Sequence, residues 1–263
     1  MKEMTKEEKP KLHVASCSFG KDSIATILLA LEKGEPLDLV IFSEVMFCHE
    51  RGISGEHPEH IHWVYDTAIP KLEKMGVKVE VLKDSKDFRS LFFHKATKGK
   101  RIGMHIGFPM VGGCSVNSGM KLRPIRQWLK RMQKTCDVIQ YIGIAINEPE
   151  RLERIHKYPD RISLLEKYGY TEEDAYDMCE RYGLLSPLYQ SVSRGGCWFC
   201  PSARISQFVH VRKHHPWLWD ELREMSKTPN LIRSDLKFGM SFEEVERRMD
   251  KYEEKQNERN TLP

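Results

Sequence analysis

Hydrophobic and polar positions along the chain change period several times, and each change marks an element. Leu12-His13-Val14-Ala15-Ser16-Cys17 is a short apolar run with the look of a buried strand. From Lys21 to Glu32 the apolar residues Ile24, Ile27, Leu28 and Leu31 fall at helical spacing, and Gly34 closes the segment. Residues 37–42 read as a second strand. Residues 58–75 read as a helix with Pro58 in its first turn and Gly76 beyond its end. Residues 77–82 alternate as a strand, 122–134 form a basic helix, and 137–144 form a further strand. Strands alternating with helices predict a parallel sheet covered by helices on both faces. After Glu148 the pattern turns to short helices at 171–182, 202–213, 216–225 and 241–254, the last opened by Ser241 and Glu244 as a capping box. The division expected is an arm over 1–10, an α/β nucleotide-binding domain over 11–155 and a helical part over 156–263.

Composition narrows the classes. At 263 residues and 40% hydrophobic, the chain has material for a sizeable core. No apolar run approaches the roughly 18–20 residues of a membrane span. The charged start, Met1 to Pro10, lacks the apolar stretch of a secretory signal, so a cytoplasmic protein with no membrane partner is expected. A net charge of +4 suits anionic ligands without demanding them. Seven cysteines, odd in number and unevenly spaced, argue against a disulfide framework, and Cys136 and Cys179 read as plain thiols.

Two segments carry chemistry. Ser18-Phe19-Gly20-Lys21-Asp22-Ser23 lies between the first strand and the first helix, where ligands of open α/β sheets bind. Gly20 admits close backbone approach, and the helix N-terminus attracts phosphate. Lys21 adds positive charge, and Asp22 suits either the helix dipole or a Mg²⁺ ion beside the phosphates. The segment is neither a Walker loop nor a dinucleotide fingerprint, and an ordinary capped helix start is the plain alternative. Gly195-Gly196-Cys197-Trp198-Phe199-Cys200-Pro201 places two thiols on one tight turn, as a metal or cluster requires. The glycine pair relieves the turn, Pro201 starts the next helix, and Trp198 and Phe199 shield the site from water. A redox dithiol or packed core thiols are the alternatives. Zinc and iron–sulfur are not separable where every ligand is cysteine.

The hexapeptide at 18–23 resembles the PP-loop of the ATP-pyrophosphatase superfamily, in its phosphoadenylyl sulfate (PAPS) reductase-like branch, with Phe19 in place of the first glycine of Ser-Gly-Gly-x-Asp-Ser. Met120-Lys121-Leu122-Arg123-Pro124-Ile125 resembles that family's Lys-Ile-Arg-Pro segment. Residues 141–151 resemble its Gly-Ile-x-x-Asp-Glu-x-x-Arg strand and loop, and Ser186-Pro187-Leu188-Tyr189 its later Pro-Leu segment. The resemblance spans residues 12–220 in family order. It implies a five-stranded parallel nucleotide-binding sheet of Rossmann-like type. It also implies that ATP or an adenylyl sulfate is bound by Ser18, Phe19, Gly20, Lys21, Asp22, Ser23, Gly143 and Lys121, with Lys21, Asp22, Arg123 and Arg151 serving the reaction. Related adenylyl sulfate reductases ligate a 4Fe–4S cluster through an earlier cysteine pair and a later Cys-x-x-Cys. Here Gly113 takes one position of the pair, leaving Cys114, Cys197 and Cys200, a set that resembles the tRNA thiolases of the superfamily. Cys17 is an alternative fourth donor, though a strand-end thiol is its plainer reading.

The activity implied is an ATP-dependent sulfur transfer, with tRNA or DNA as an acceptor and a sulfur-donor protein and a homodimer as further partners. A sulfonucleotide reductase and a non-catalytic nucleotide-binding module are the alternatives. The reductase reading lacks the cysteine-bearing C-terminal tail of that class, since residues 251–263 contain no cysteine. Two basic clusters, at 121–134 and at Arg204, Arg212, Lys213, His214 and His215, fit a nucleic-acid backbone, although a solvated helix face is the default for such runs. Cys48, His49, His57, His60 and His62 fit no standard zinc spacing and read as a half-exposed helix start or a substrate-facing loop.

Overall fold

A computed structural model describes residues 9–109, 113–192 and 195–261. Most of the expected arm at 1–10 therefore lies outside the described residues. The chain forms two compact units, each made of separated segments: residues 1–43, 62–82 and 123–187 in the first, and residues 44–61, 83–122 and 188–263 in the second.

The first unit is built on a five-stranded parallel sheet. Its strands are β1 (Lys11–Cys17), β2 (Leu39–Glu44), β3 (Val79–Lys83), β4 (Asp137–Ile142) and β5 (Arg161–Ile162). Their spatial order is β3-β2-β1-β4-β5, so successive crossovers run outward in both directions from β1. In register, Ser16 of β1 lies between Ile41 of β2 and Ile142 of β4. A strand order that reverses at β1 leaves a crevice at its carboxyl end, the place where such sheets take ligands.

Two helices fix the sheet. Helix α1 (Lys21–Lys33) follows β1 directly and stops at Gly34, whose φ of 65° is the left-handed conformation that ends a helix cheaply when no side chain is present. Sequence spacing placed Leu31 on its buried stripe, but Leu31 is 37% exposed. Instead every residue from Ser23 to Ala30 is buried, because helix α3 (Glu172–Arg181) packs on α1 and covers a second side of it. Helix α2 (Leu122–Met132) sets Trp128 and Leu129 against Val14, Ile41 and Val138 of the sheet.

One glycine governs how close α1 comes to the sheet. A Cβ on Gly143, just past β4, would lie 2.7 Å from the backbone of both Asp22 and Ser23. The carboxyl end of β4 and the first turn of α1 are thus in backbone contact, and any side chain there drives them apart.

The second unit has an aromatic core. Phe47, Phe88, Phe92, Phe108, Trp198, Phe199, Phe208 and Trp219 are all fully buried, with Phe88 and Phe199 stacked at 4.1 Å between ring centres. Its main helices are α4 (Ile205–His214), α5 (Pro216–Ser226) and α6 (Phe242–Thr261). At the start of α6 the Ser241 hydroxyl accepts from the Glu244 N–H at 3.2 Å, while the Glu244 carboxylate turns to Arg247 and Arg248. Among the described residues no helix is long and apolar enough to cross a membrane.

Replacing Gly143 with Ala forces a contact that backbone cannot yield. We expect Gly143→Ala to lose about 1–3 kcal/mol of stability by urea denaturation, with the denaturant slope unchanged. A midpoint equal to that of the wild type would show the contact to be looser than described.

Candidate functional site

The loop between β1 and α1 is closed by its own side chains. The Ser23 hydroxyl is its hub: it donates to the Gly20 carbonyl at 2.9 Å, and accepts from the Ser18 N–H at 3.2 Å and from the Cys17 thiol at 3.4 Å. The Phe19 N–H donates to the Cys17 sulfur at 3.2 Å. Cys17 is therefore engaged as a strand-end thiol within the loop. Ser18 stays exposed at the mouth.

Phe19 has a φ of 57°, in the left-handed region that costs an L residue about 1–2 kcal/mol. That conformation is the physical reason a glycine suits this position. Here the side chain offsets the cost: Phe19 is 1% exposed and packs edge-on against Phe42 at 5.1 Å and Trp63 at 6.5 Å. Burying such a ring contributes about 1.5–3 kcal/mol. Phe19 thus offers a ligand its backbone, and its ring belongs to the core.

Charges at the mouth are already organised. Lys21 Nζ donates to Asp22 at 2.7 Å and to Glu172 at 2.9 Å. Ligand oxygens of Asp22, Glu148 and Glu172 lie within 4.8 Å of one another. Burial raises the Asp22 carboxyl above its ordinary value, Lys21 opposes this, and the carboxylates of Glu172 and Glu148 add to the rise. Hard oxygen donors at this spacing suit Mg²⁺, which is held by a few carboxylates together with substrate phosphates. Arg151 pairs with Glu148 at 2.5 Å, and Arg123 is half-buried in the first turn of α2. Sequence reasoning singled out Asp22 but gave no role to Glu148 or Glu172. Glu148 stood inside a recognised segment, whereas nothing in the local sequence distinguishes Glu172 from its acidic neighbours.

The cysteine turn belongs to the second unit. Trp198 anchors it through N–H donation to the Gly55 carbonyl and Nε1 donation to the Ser54 carbonyl, each at 3.0 Å. Gly196 has a φ of 137°, which a side chain rarely adopts. Trp198 and Phe199 are 1% exposed each and act as core anchors, leaving the thiols at the margin of the aromatic core. Pro201 lies in the turn itself and does not start the helix; α4 begins at Ile205, because the Arg204 backbone is extended and takes the cap position. Lys237 Nζ donates to the Pro201 carbonyl at 2.9 Å and to the Ala203 carbonyl, fastening the turn from the other side.

Cys114, Cys197 and Cys200 all border this one core, and their thiols are close enough to influence one another. Burial pushes the Cys197 thiol well above its ordinary value; Glu56 adds to this, Lys121 opposes it, and Cys200 and Cys114 raise it further. Such thiols gain from a cation, since coordination deprotonates them outright. Among the described residues the three sulfurs do not form a group within 4.8 Å of one another. Three thiols at one core margin are a donor set that suits zinc or an iron–sulfur cluster. Glu56, missed by sequence reasoning, pairs with Cys197 as a β-bridge and is buried with one carboxylate oxygen unpartnered.

The histidine-rich segment differs in part from its sequence reading. His57 and His60 are 1% and 3% exposed, whereas His49 and His62 are exposed. The second basic cluster is neutralised in part, while Arg204, Lys213 and His214 stay exposed. Arg212 pairs with Asp250 and Glu253, and His215 with Glu59, because α6 and the 58–63 helix present acids to α4. Basic residues remain exposed on α2, namely Arg126, Lys130 and Arg131.

No family model and no curated protein matches the chain. Among solved structures it is similar to a U34-tRNA thiolase, NcsA from Methanococcus maripaludis with its [4Fe-4S] cluster, at 18% identity and a TM-score of 0.40, over 84% of this chain and 72% of that one.

Two outcomes follow from this geometry. Phe19→Ala keeps the strained backbone and loses the packing, so it should cost about 3–5 kcal/mol in urea melts, whereas Phe19→Gly recovers backbone strain and should cost less. The reverse order would remove the strain argument. Burial pushes the Cys179 thiol to about 12, and its sulfur donates to the Lys21 carbonyl at 3.2 Å. Native-state alkylation at neutral pH, followed by peptide mass mapping, should therefore label the half-exposed Cys136 long before Cys179. Equal labelling would contradict the burial.

Proposed function

We propose that this chain is a PP-loop enzyme that splits ATP to AMP and pyrophosphate and uses the adenylated intermediate for sulfur transfer. The observation that carries this reading is the loop at 18–23, where the start of α1, Lys21 and a carboxylate trio surround one mouth at the carboxyl end of the central strand. A triphosphate presents the matching pattern, with oxygens for the amides and Lys21. Asp22, Glu148 and Glu172 would hold a Mg²⁺ ion, which would neutralise phosphate charge.

Lys21, which donates to Asp22 and Glu172 without ligand, would turn to the phosphates when nucleotide binds. The acceptor oxygen attacks the α-phosphorus, the α–β bridging bond breaks, and pyrophosphate leaves with the charge met by Lys21, Arg123 and Arg151. The work is positioning and charge neutralisation. A sulfur nucleophile then attacks the activated carbon and displaces AMP.

Cys114, Cys197 and Cys200 would hold a 4Fe–4S cluster. Their shared core margin and their mutual influence support this fit. Such a cluster would supply the sulfur chemistry of the transfer step. Lys121, in the same unit, offsets the negative charge of the thiolates. The exposed basic face of α2 supports a nucleic-acid acceptor. The raised Cys179 thiol and the buried Cys17 and Cys48 thiols are poor nucleophiles, which weighs against sulfonucleotide reduction.

Anaerobically purified protein given α-labelled ATP and Mg²⁺ with bulk tRNA or DNA should yield AMP and pyrophosphate. Lys21→Ala should lower the rate on the order of 10²–10³-fold. The protein should be brown with about four irons per chain, a content lost in Cys197→Ser and kept in Cys179→Ser. Sulfite release from an adenylyl sulfate with thioredoxin, with no pyrophosphate from ATP, would replace this reading with the reductase. Nucleotide binding with neither product would replace it with a binding module.

A further inference from the structure

A second group of ligand atoms lies in the second unit, on residues that the nucleotide and cysteine sites do not use. Glu59 sits in the first turn of the helix Pro58–Trp63. His210 lies on α4, and His215 is the residue between α4 and α5, with φ −135° and ψ 59°. That break turns the His215 ring back beside His210. Both imidazoles then converge on the same oxygen of Glu59: His210 Nε2 at 2.9 Å and His215 Nε2 at 2.8 Å. The three ligand atoms lie within 4.8 Å of one another.

Two buried atoms at this place have no partner. One is the second oxygen of Glu59, and the other is Nδ1 of His57. His57 is 1% exposed, and its ring meets that of His210 edge-on at 6.2 Å. A buried polar atom without a hydrogen bond costs about 1–3 kcal/mol. Native structures rarely keep two together unless a ligand satisfies them. Imidazole nitrogens with one carboxylate are the donor set of zinc and its first-row neighbours, and not of magnesium or calcium. A tetrahedral ion with bonds of about 2.0–2.2 Å draws the ligand atoms of Glu59, His210 and His215 inward from their present 4.8 Å limit, while His57 lies outside that group.

We propose that His210, His215 and Glu59, completed by His57, form a mononuclear site for a divalent transition metal of the zinc class. The segment 57–59 and the α4–α5 junction are far apart in sequence, and the ion ties them together. His-x-Glu and His-x₄-His, 150 residues apart, match no familiar zinc spacing, which is why the sequence alone did not reveal the site. The inference stands independently of the nucleotide and cluster readings.

The test uses the full chain, stripped with chelator under anaerobic conditions and titrated with Co²⁺. Nitrogen and oxygen ligation gives visible d–d bands without the thiolate-to-cobalt charge-transfer band of a cysteine site. We expect a d–d signal that persists in Cys197→Ser and vanishes in His215→Ala. Zn²⁺ should displace the cobalt and raise the melting temperature of the wild type. His215→Gln keeps a hydrogen-bond donor toward Glu59, so it preserves the fold where Ala does not. It should still weaken Zn²⁺ binding by more than the roughly 10–100-fold that an outer-sphere partner contributes. Wild-type protein showing only a thiolate-type cobalt spectrum, or unchanged affinity in folded His215→Gln, would overturn the proposal. In that case the group is a hydrogen-bonded histidine–carboxylate network.

Discussion

The backbone contact between the end of β4 and the first turn of α1 sets the geometry of the first unit. It exists because residue 143 has no side chain, and a Cβ there would lie 2.7 Å from the Asp22 and Ser23 backbone. That approach fixes the start of α1 against the sheet, where Ser23 then closes the loop through Gly20, Ser18 and Cys17. With the loop closed, Phe19 is held at positive φ and its ring is driven into the core. The helix-start amides and Asp22 sit in the segment that this contact holds.

The two chemical sites use opposite physics. At the loop, charges are partly exposed and already paired, Lys21 with Asp22 and with Glu172. At the cysteine turn, thiols are placed at the edge of an aromatic core, where burial raises Cys197 and coordination of that thiol gains the most. The first arrangement suits ligands that come and go, and the second suits a resident group.

Periodicity and punctuation made much of the fold readable. Alternating strands and helices announced the parallel sheet, and Gly34 and Gly76 ended helices as expected, each at positive φ. The loop and the Cys-x-x-Cys turn were readable because their chemistry is local. What was not readable depends on tertiary encounter. Helix α1 looked one-sided, yet α3 buries a second face. Arg212 and His215 looked like a basic surface until Asp250, Glu253 and Glu59 arrived from distant segments. Glu172 joins Asp22 across 150 residues, and His57 meets His210 across a similar distance. No window of sequence contains either pair.

Amide hydrogen exchange, read peptide by peptide with and without ATP and Mg²⁺, tests the central claim most directly, because it reports on the loop without assuming any product. Protection concentrated in the peptide spanning Ser18 to Ile24, with a smaller effect at residues 143–148, is the expected result. Protection elsewhere with none at Ser18–Ile24, or no change at saturating nucleotide, would mean that this loop is an ordinary helix start.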